Sequence, residues 1–324
     1  MPPNPVIDPE APLLFVVNAA SGVEGAQARR EVIESTMRAA GRPCELLFAD
    51  GAEVTEVARR AAAQARSRRS AVVAVGGDGT INAVAQAAHA EGCAMGVLPQ
   101  GTFNYFARTN GIPAEPAAAI EALLRATPRP VQVGVVNGKV FLVNASLGLY
   151  PALLEDRESH KARFGRHRWV ALLSALTTLA RTHRQLRLRI EQGGQVRDVR
   201  TPTLFVGNNR LQLEQVGLRP SLCIDAGSIA AVMLKPIGTL TMLWLLARGA
   251  FGSLGEADDV ESFAFRQMTV ALSRGAGTRR VKVAFDGEVA WMHAPLRFEV
   301  APRPLWLLKP AVADAAEVVG EGTR

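Results

Sequence analysis

The residues best suited to chemistry sit in a glycine turn, Gly76-Gly77-Asp78-Gly79-Thr80, between the apolar run Ala71–Val75 and a helix-like stretch over Ile81–His89. A strand that passes through glycine into a helix start gathers unpaired main-chain N–H groups and the positive end of a helix dipole at one point, which suits a phosphate. Glycine lets the backbone approach phosphate oxygens closely and take up positive φ, and Asp78 could reach a magnesium ion or its waters. The same pattern also serves as a tight connection with an aspartate cap.

Two further turns repeat the theme. Met95–Leu98 leads into Pro99-Gln100-Gly101-Thr102-Phe103-Asn104, and Leu13–Val17 leads into Asn18-Ala19-Ala20-Ser21-Gly22. Three such turns at strand ends could offer glycine, hydroxyl and amide groups to one ligand. Neither Gly-Lys-Ser/Thr of the P-loop nor G-x-G-x-x-G is present, which disfavours both usual nucleotide turns. Asp286-Gly287-Glu288, after the run Val281–Phe285, is a fourth candidate. An alcohol is a poor nucleophile, and a carboxylate placed there could accept its proton during phosphoryl transfer. Asp-Gly also favours a type I′ hairpin turn.

The elements that must position these groups follow from the hydrophobic pattern. Short apolar runs at 13–17, 45–48, 71–75 and 95–98 alternate with helical stretches near 25–40, 54–65 and 80–89, which predicts a parallel sheet with helices on its faces. Ligands of such sheets bind at the carboxyl ends of the strands. After Pro128 and Pro130 the rhythm changes to strands at 131–136, 140–145, 186–190, 196–206, 229–234, 261–272, 280–285 and 296–300, with helices only near 168–182 and 238–249. This half reads as a mainly antiparallel β-domain. The expected division is therefore an α/β domain over residues 1–130, a β-sandwich over 131–301, and a loose tail over 311–324. The run Leu305–Leu308, within 302–310, is compatible with a return to the first domain.

Composition bounds the function. Apolar residues make up 48% of 324 and charged residues 21%, the balance of a globular chain with room for two cores. A net charge of +7 favours anionic partners: nucleotides, nucleic acid or an acidic membrane face. Aromatic residues are only 6% and do not interleave with a basic cluster, so nucleic acid is not the expected partner. Cys44, Cys93 and Cys223 lack metal or disulfide spacing, which fits a cytoplasmic chain. His89, His160, His167, His183 and His293 share no ligand spacing either. The most apolar stretch, 229–251, is interrupted by Lys235, Pro236, Gly238 and Arg248, so membrane contact is expected to be peripheral. Lys161, Arg163, Arg166, His167 and Arg168 before the run Trp169–Leu179 suit an anionic bilayer, and equally an ordinary core-facing helix with a solvated start.

Gly76–Thr80, Leu98-Pro99-x-Gly101-Thr102-x-Asn104, Gly207-Asn208-Asn209 and Asp286-Gly287-Glu288 together resemble the diacylglycerol kinase catalytic superfamily, which includes bacterial lipid kinases and sphingosine and ceramide kinases. The resemblance spans roughly residues 13–309. It implies an α/β nucleotide domain followed by a β-sandwich, with ATP in the cleft between them, and phosphorylation of a lipid hydroxyl, diacylglycerol first among candidates. It assigns Asn18, Ser21, Gly22, Gly76, Gly77, Asp78, Gly79, Thr80 and Thr102 to ATP, with Asp78 also the magnesium ligand. Asp286 or Glu288 would be the base. NAD kinases share the Gly-Gly-Asp-Gly-Thr turn and form the alternative enzyme reading.

The chain also departs from the family pattern. Ala19 stands where proline is common, and Tyr105 and Gln132 stand where aspartates are common. Asp225-Ala226-Gly227 occupies the place of an Asp-Gly pair that holds a structural magnesium in related kinases, and that site is not carried over. Tyr105 and Gln132 keep open a third reading, a nucleotide- or lipid-binding protein that has lost catalysis.

Overall fold

The structure, a computed structural model, describes residues 4–19, 23–101, 103–148, 185–215, 224, 226–236, 259–273 and 280–310. The helices expected at 168–182 and 238–249, with the basic entrance to the first, lie outside these residues, as does the tail. The chain divides into two compact units, residues 1–133 with 301–324, and residues 134–300.

The first unit is built on a six-stranded sheet. Its elements run β1 (Leu13–Asn18), α1 (Val23–Ala39), β2 (Cys44–Ala49), α2 (Glu53–Ser67), β3 (Ala71–Gly76), α3 (Asp78–Glu91) and β4 (Ala94–Pro99). Then follow α4 (Tyr105–Thr109), α5 (Pro116–Arg125), β5 (Thr127–Val131) and, from the far end of the chain, β18 (Leu305–Lys309). The spatial order is β2-β1-β3-β4-β18-β5, parallel except where β5 runs antiparallel to β18. β3 and β4 are buried along their whole length, as strands of a parallel sheet covered on both faces must be. α2 shows how the covering arises: Val54, Val57, Ala58, Ala61, Ala62 and Ala65 recur at helical spacing and are buried, with Glu53 and Glu56 in the first turn and Arg66 in the last. Pro128 and Pro130 lie inside β5. They are tolerated because β5 is an edge strand and alternate positions present their missing donors to one side.

The second unit holds two antiparallel six-stranded sheets. One has the order β10-β9-β14-β17-β6-β7, with β6 (Gly134–Val136), β7 (Lys139–Phe141), β9 (Leu186–Gln192), β10 (Gln195–Thr201), β14 (Gln267–Leu272) and β17 (Leu296–Val300). The other has the order β13-β12-β11-β8-β15-β16, with β8 (Asn144–Gly148), β11 (Thr203–Gly207), β12 (Ile229–Leu234), β13 (Val260–Phe265), β15 (Arg280–Phe285) and β16 (Glu288–His293). Phe141, Ile190, Met268 and Phe298 of the first sheet and Leu147, Val206, Met233 and Val283 of the second meet in one core. The unit is therefore a sandwich. A short helix, α6 (Arg210–Gln215), follows β11.

Four stretches expected as single strands are each two. Residues 131–136 divide into the end of β5 and β6, in different units. Residues 196–206 break at Pro202, which cannot donate to a ladder, and 261–272 break at Arg266; at both points the chain passes from one sheet to the other. Residues 140–145 break at Leu142-Val143, whose N–H groups bond to a side chain far along the sequence.

Candidate active site

The first group of site residues lies at the carboxyl ends of β1, β3 and β4. β3 runs through Gly76, Gly77 is the N-cap of α3, and Asp78, Gly79 and Thr80 form the first helical turn, so the connection is a single residue long. The first helical bond is Ile81 N–H to Gly77 O at 3.0 Å, and Gly77 has no side chain with which to cap the turn. The N–H groups of residues 78–80 thus face outward at the positive end of a fourteen-residue helix.

Positive φ is not what the glycines supply. Gly77 has φ −81° and ψ −174°, open to any residue, and the described positive-φ glycines do not include Gly76, Gly77, Gly79 or Gly101. They supply closeness instead. A Cβ on Gly76 would stand 2.7 Å from Thr80 Oγ1, and one on Gly101 would stand 2.8 Å from Asn104 Oδ1 and 3.4 Å from Gly77 Cα.

Hydrogen bonds tie the strand ends together. Asn18 Nδ2 donates to Thr80 Oγ1 at 2.9 Å, and Gln100 N–H donates to Gly76 O at 2.9 Å. Gly101 N–H donates to Asn104 Oδ1 at 3.0 Å while Asn104 Nδ2 returns to Gly101 O at 2.7 Å, with Asn104 held at φ 45°. Asn18, Gly76, Gly77, Gly101 and Asn104 line one open depression of about 520 Å³. Arg29 lines it too, an unanticipated member. Its Nη2 donates to Asn18 O at 3.2 Å, and partial burial lowers the guanidinium's pKa from its usual high value. One of three arginines on a helix that also carries three glutamates gives no sequence signal.

Asp78 is half-buried, and burial raises its pKa above the ordinary aspartate range. A partly desolvated carboxylate beside Gly101 at the edge of this depression is a ligand a magnesium ion accepts when one or two carboxylates and the ligand's phosphates share it. The residues present fit such an ion. Ser21, Gly22 and Thr102 lie outside the described residues, as does Asp225. Tyr105 is stacked on Phe103 with centroids 5.9 Å apart. Of the histidines, His89 Nε2 bonds to Arg303 O at 3.0 Å and His293 is exposed on β16; neither faces this depression.

The second group lies in the other unit. Asp286 and Gly287 are the two residues of the turn between β15 and β16, with φ 47° and 90°, and Phe285 pairs with Glu288 across it. It is a type I′ hairpin turn. Asp286 is 8% exposed, and its carboxylate accepts from three consecutive amides: Leu142 N–H at 2.6 Å to Oδ2, Val143 N–H at 2.8 Å and Asn144 N–H at 3.0 Å to Oδ1. Three of about four lone-pair sites are thereby occupied. Glu288, two residues on, is exposed. Asn208 Nδ2 donates to Leu142 O at 3.1 Å, and Asn209 Oδ1 accepts Gln212 N–H at 3.1 Å as a cap for α6. The Gly207-Asn208-Asn209 segment therefore braces the loop that Asp286 holds.

The profile of the diacylglycerol kinase catalytic domain matches residues 12–136. A protein of Pseudomonas aeruginosa (strain UCBPP-PA14) named probable lipid kinase YegS-like is 34% identical over 246 residues, covering 74% of this chain and 76% of that one. The diacylglycerol kinase of Bacillus subtilis (strain 168) is 40% identical over 88 residues, 26% of this chain and 29% of that protein. The crystal structure of a diacylglycerol kinase from Bacillus anthracis (strain Sterne) has the same fold, with a TM-score of 0.66 at 19% identity over 93% of this chain and 97% of that one.

Proposed function

The chain belongs to the diacylglycerol kinase catalytic family and is a kinase, and from that premise we propose that it transfers the γ-phosphoryl of ATP to a lipid hydroxyl, with diacylglycerol the leading acceptor. The observation that carries the nucleotide half is the depression at the ends of β1, β3 and β4, where the first turn of α3, the Asn18 amide and the Arg29 guanidinium converge. Main-chain N–H groups and a cation are the partners a polyphosphate takes. Asp78 would hold the magnesium ion, which would supply neutralisation of phosphate charge.

Glu288 is the proposed base and Asp286 its positioning residue, because the Asp286 carboxylate is already engaged by three amides. The lipid oxygen attacks the γ-phosphorus as its proton passes to the Glu288 carboxylate. The bond from phosphorus to the bridging oxygen breaks, and ADP leaves with that electron pair. Incubating the protein with γ-labelled ATP, magnesium and separate diacylglycerol, long-chain base and NAD tests the reading. Label in the lipid supports it, label in NAD supports the other enzyme, and label in neither supports a binding protein without catalysis.

A further inference from the structure

We propose that the outer face of the β15–β16 hairpin is a docking surface for an anionic bilayer, with Trp291 entering the headgroup layer and Arg280 and Lys282 meeting lipid phosphates. The proposal rests on the reading that the acceptor is a lipid. Register assigns the faces: Arg280 pairs with His293, Lys282 with Trp291, and Ala284 with Val289. The alternate positions Val283 and Met292 are buried in the sandwich core, with Val281 and Ala290 packed against it. The other face therefore carries Arg280, Lys282, Ala284, Val289, Trp291 and His293, with no acidic residue among them; Ala284 is fully buried, so the accessible part is the end bearing exposed Arg280, Trp291 and His293 and half-buried Lys282.

Trp291 is 53% exposed, although a tryptophan buried against an apolar partner would hide most of its area. It stands on the terminal strand of its sheet, reachable from outside. Lys282 Nζ lies 5.2 Å and Arg280 Cζ 5.6 Å from its ring centroid. An amphipathic indole flanked by two cations matches the headgroup layer, where tryptophan concentrates and where phosphates meet basic side chains. A protein partner would call for apolar neighbours around the indole, and this face offers cations. Glu288, three residues from Trp291 on the same strand, belongs to the opposite face of the hairpin.

The test is co-sedimentation with vesicles of phosphatidylcholine alone and of phosphatidylcholine mixed with phosphatidylglycerol, using the full chain. Wild type binds the anionic vesicles, and added salt weakens the binding. Arg280→Gln with Lys282→Gln lowers the partition coefficient roughly tenfold or more. Trp291→Ser lowers it as well, with thermal unfolding unchanged because the side chain is exposed. Both variants still phosphorylate a short-chain, water-soluble diacylglycerol. Binding by the variants equal to wild type, or no binding of wild type to anionic vesicles, overturns the docking surface. If wild type binds the vesicles, the variants do not, and no lipid is phosphorylated by either, docking stands and the acceptor assignment fails.

Discussion

Asp286 and Asn144 hold each other through two hydrogen bonds. Asn144 N–H donates to Asp286 Oδ1 at 3.0 Å, and Asp286 N–H donates to Asn144 O at 3.0 Å. Together with the bonds from Leu142 and Val143, this fixes the hairpin turn to the start of β8. Asp286→Asn keeps the shape and tolerates the positive φ, but it turns one acceptor into a donor facing main-chain N–H groups. The variant should lose about 1–3 kcal/mol of stability in denaturant unfolding, and activity with it. Glu288→Gln should lose activity at unchanged stability. The opposite pattern, a stable inactive Asp286→Asn and an active Glu288→Gln, would move the base to Asp286.

The glycines of the nucleotide turn should separate by role. Gly76→Ala places a methyl 2.7 Å from Thr80 Oγ1, so it should displace Thr80, break the bond from Asn18 and lower the melting temperature. At Gly77 the backbone is extended and the nearest atom to a Cβ would be Gly101 Cα at 3.8 Å. Gly77→Ala should therefore melt like wild type while binding ATP more weakly by calorimetry, since the methyl intrudes where phosphate is expected. Unaltered ATP affinity in Gly77→Ala would remove the phosphate from this turn.

Asp78 links function to stability through charge. Its folded-state pKa is raised by burial, so the ionised form is penalised in the fold. That contribution favours the fold below the ordinary aspartate range and is lost as pH rises through the raised folded value. Asp78→Asn should thus melt above wild type at neutral pH, with the difference shrinking as the pH falls toward and below the ordinary aspartate range. Magnesium and ATP together should raise the wild-type melting temperature and leave the variant's nearly unchanged. A variant that melts below wild type at neutral pH would show that the carboxylate is held by favourable contacts.

Much of the fold was legible because local pattern and burial coincide: apolar runs became β1, β3 and β4, and the glycine turn met the helix start at Asp78. What stayed hidden depends on partners distant in sequence. The break at Leu142-Val143 arises because their amides serve a carboxylate 144 and 143 residues away. No local pattern announces that Asp286 is occupied by those amides while Glu288 is exposed. The prolines of β5 signalled a boundary, yet they sit in a strand because β18 returns to give that strand a partner and leave it at an edge. Arg29 reached the depression through the rotation of α1, which helical spacing alone did not single out.

Phosphoryl transfer to lipid is decided by following γ-labelled phosphate from ATP in mixed micelles of detergent and diacylglycerol, with magnesium, using wild type and Glu288→Gln side by side. Labelled phosphatidic acid is expected from wild type and none above background from Glu288→Gln, with both proteins binding ATP equally. Label appearing only as free phosphate, with the lipid unlabelled, would contradict that assignment.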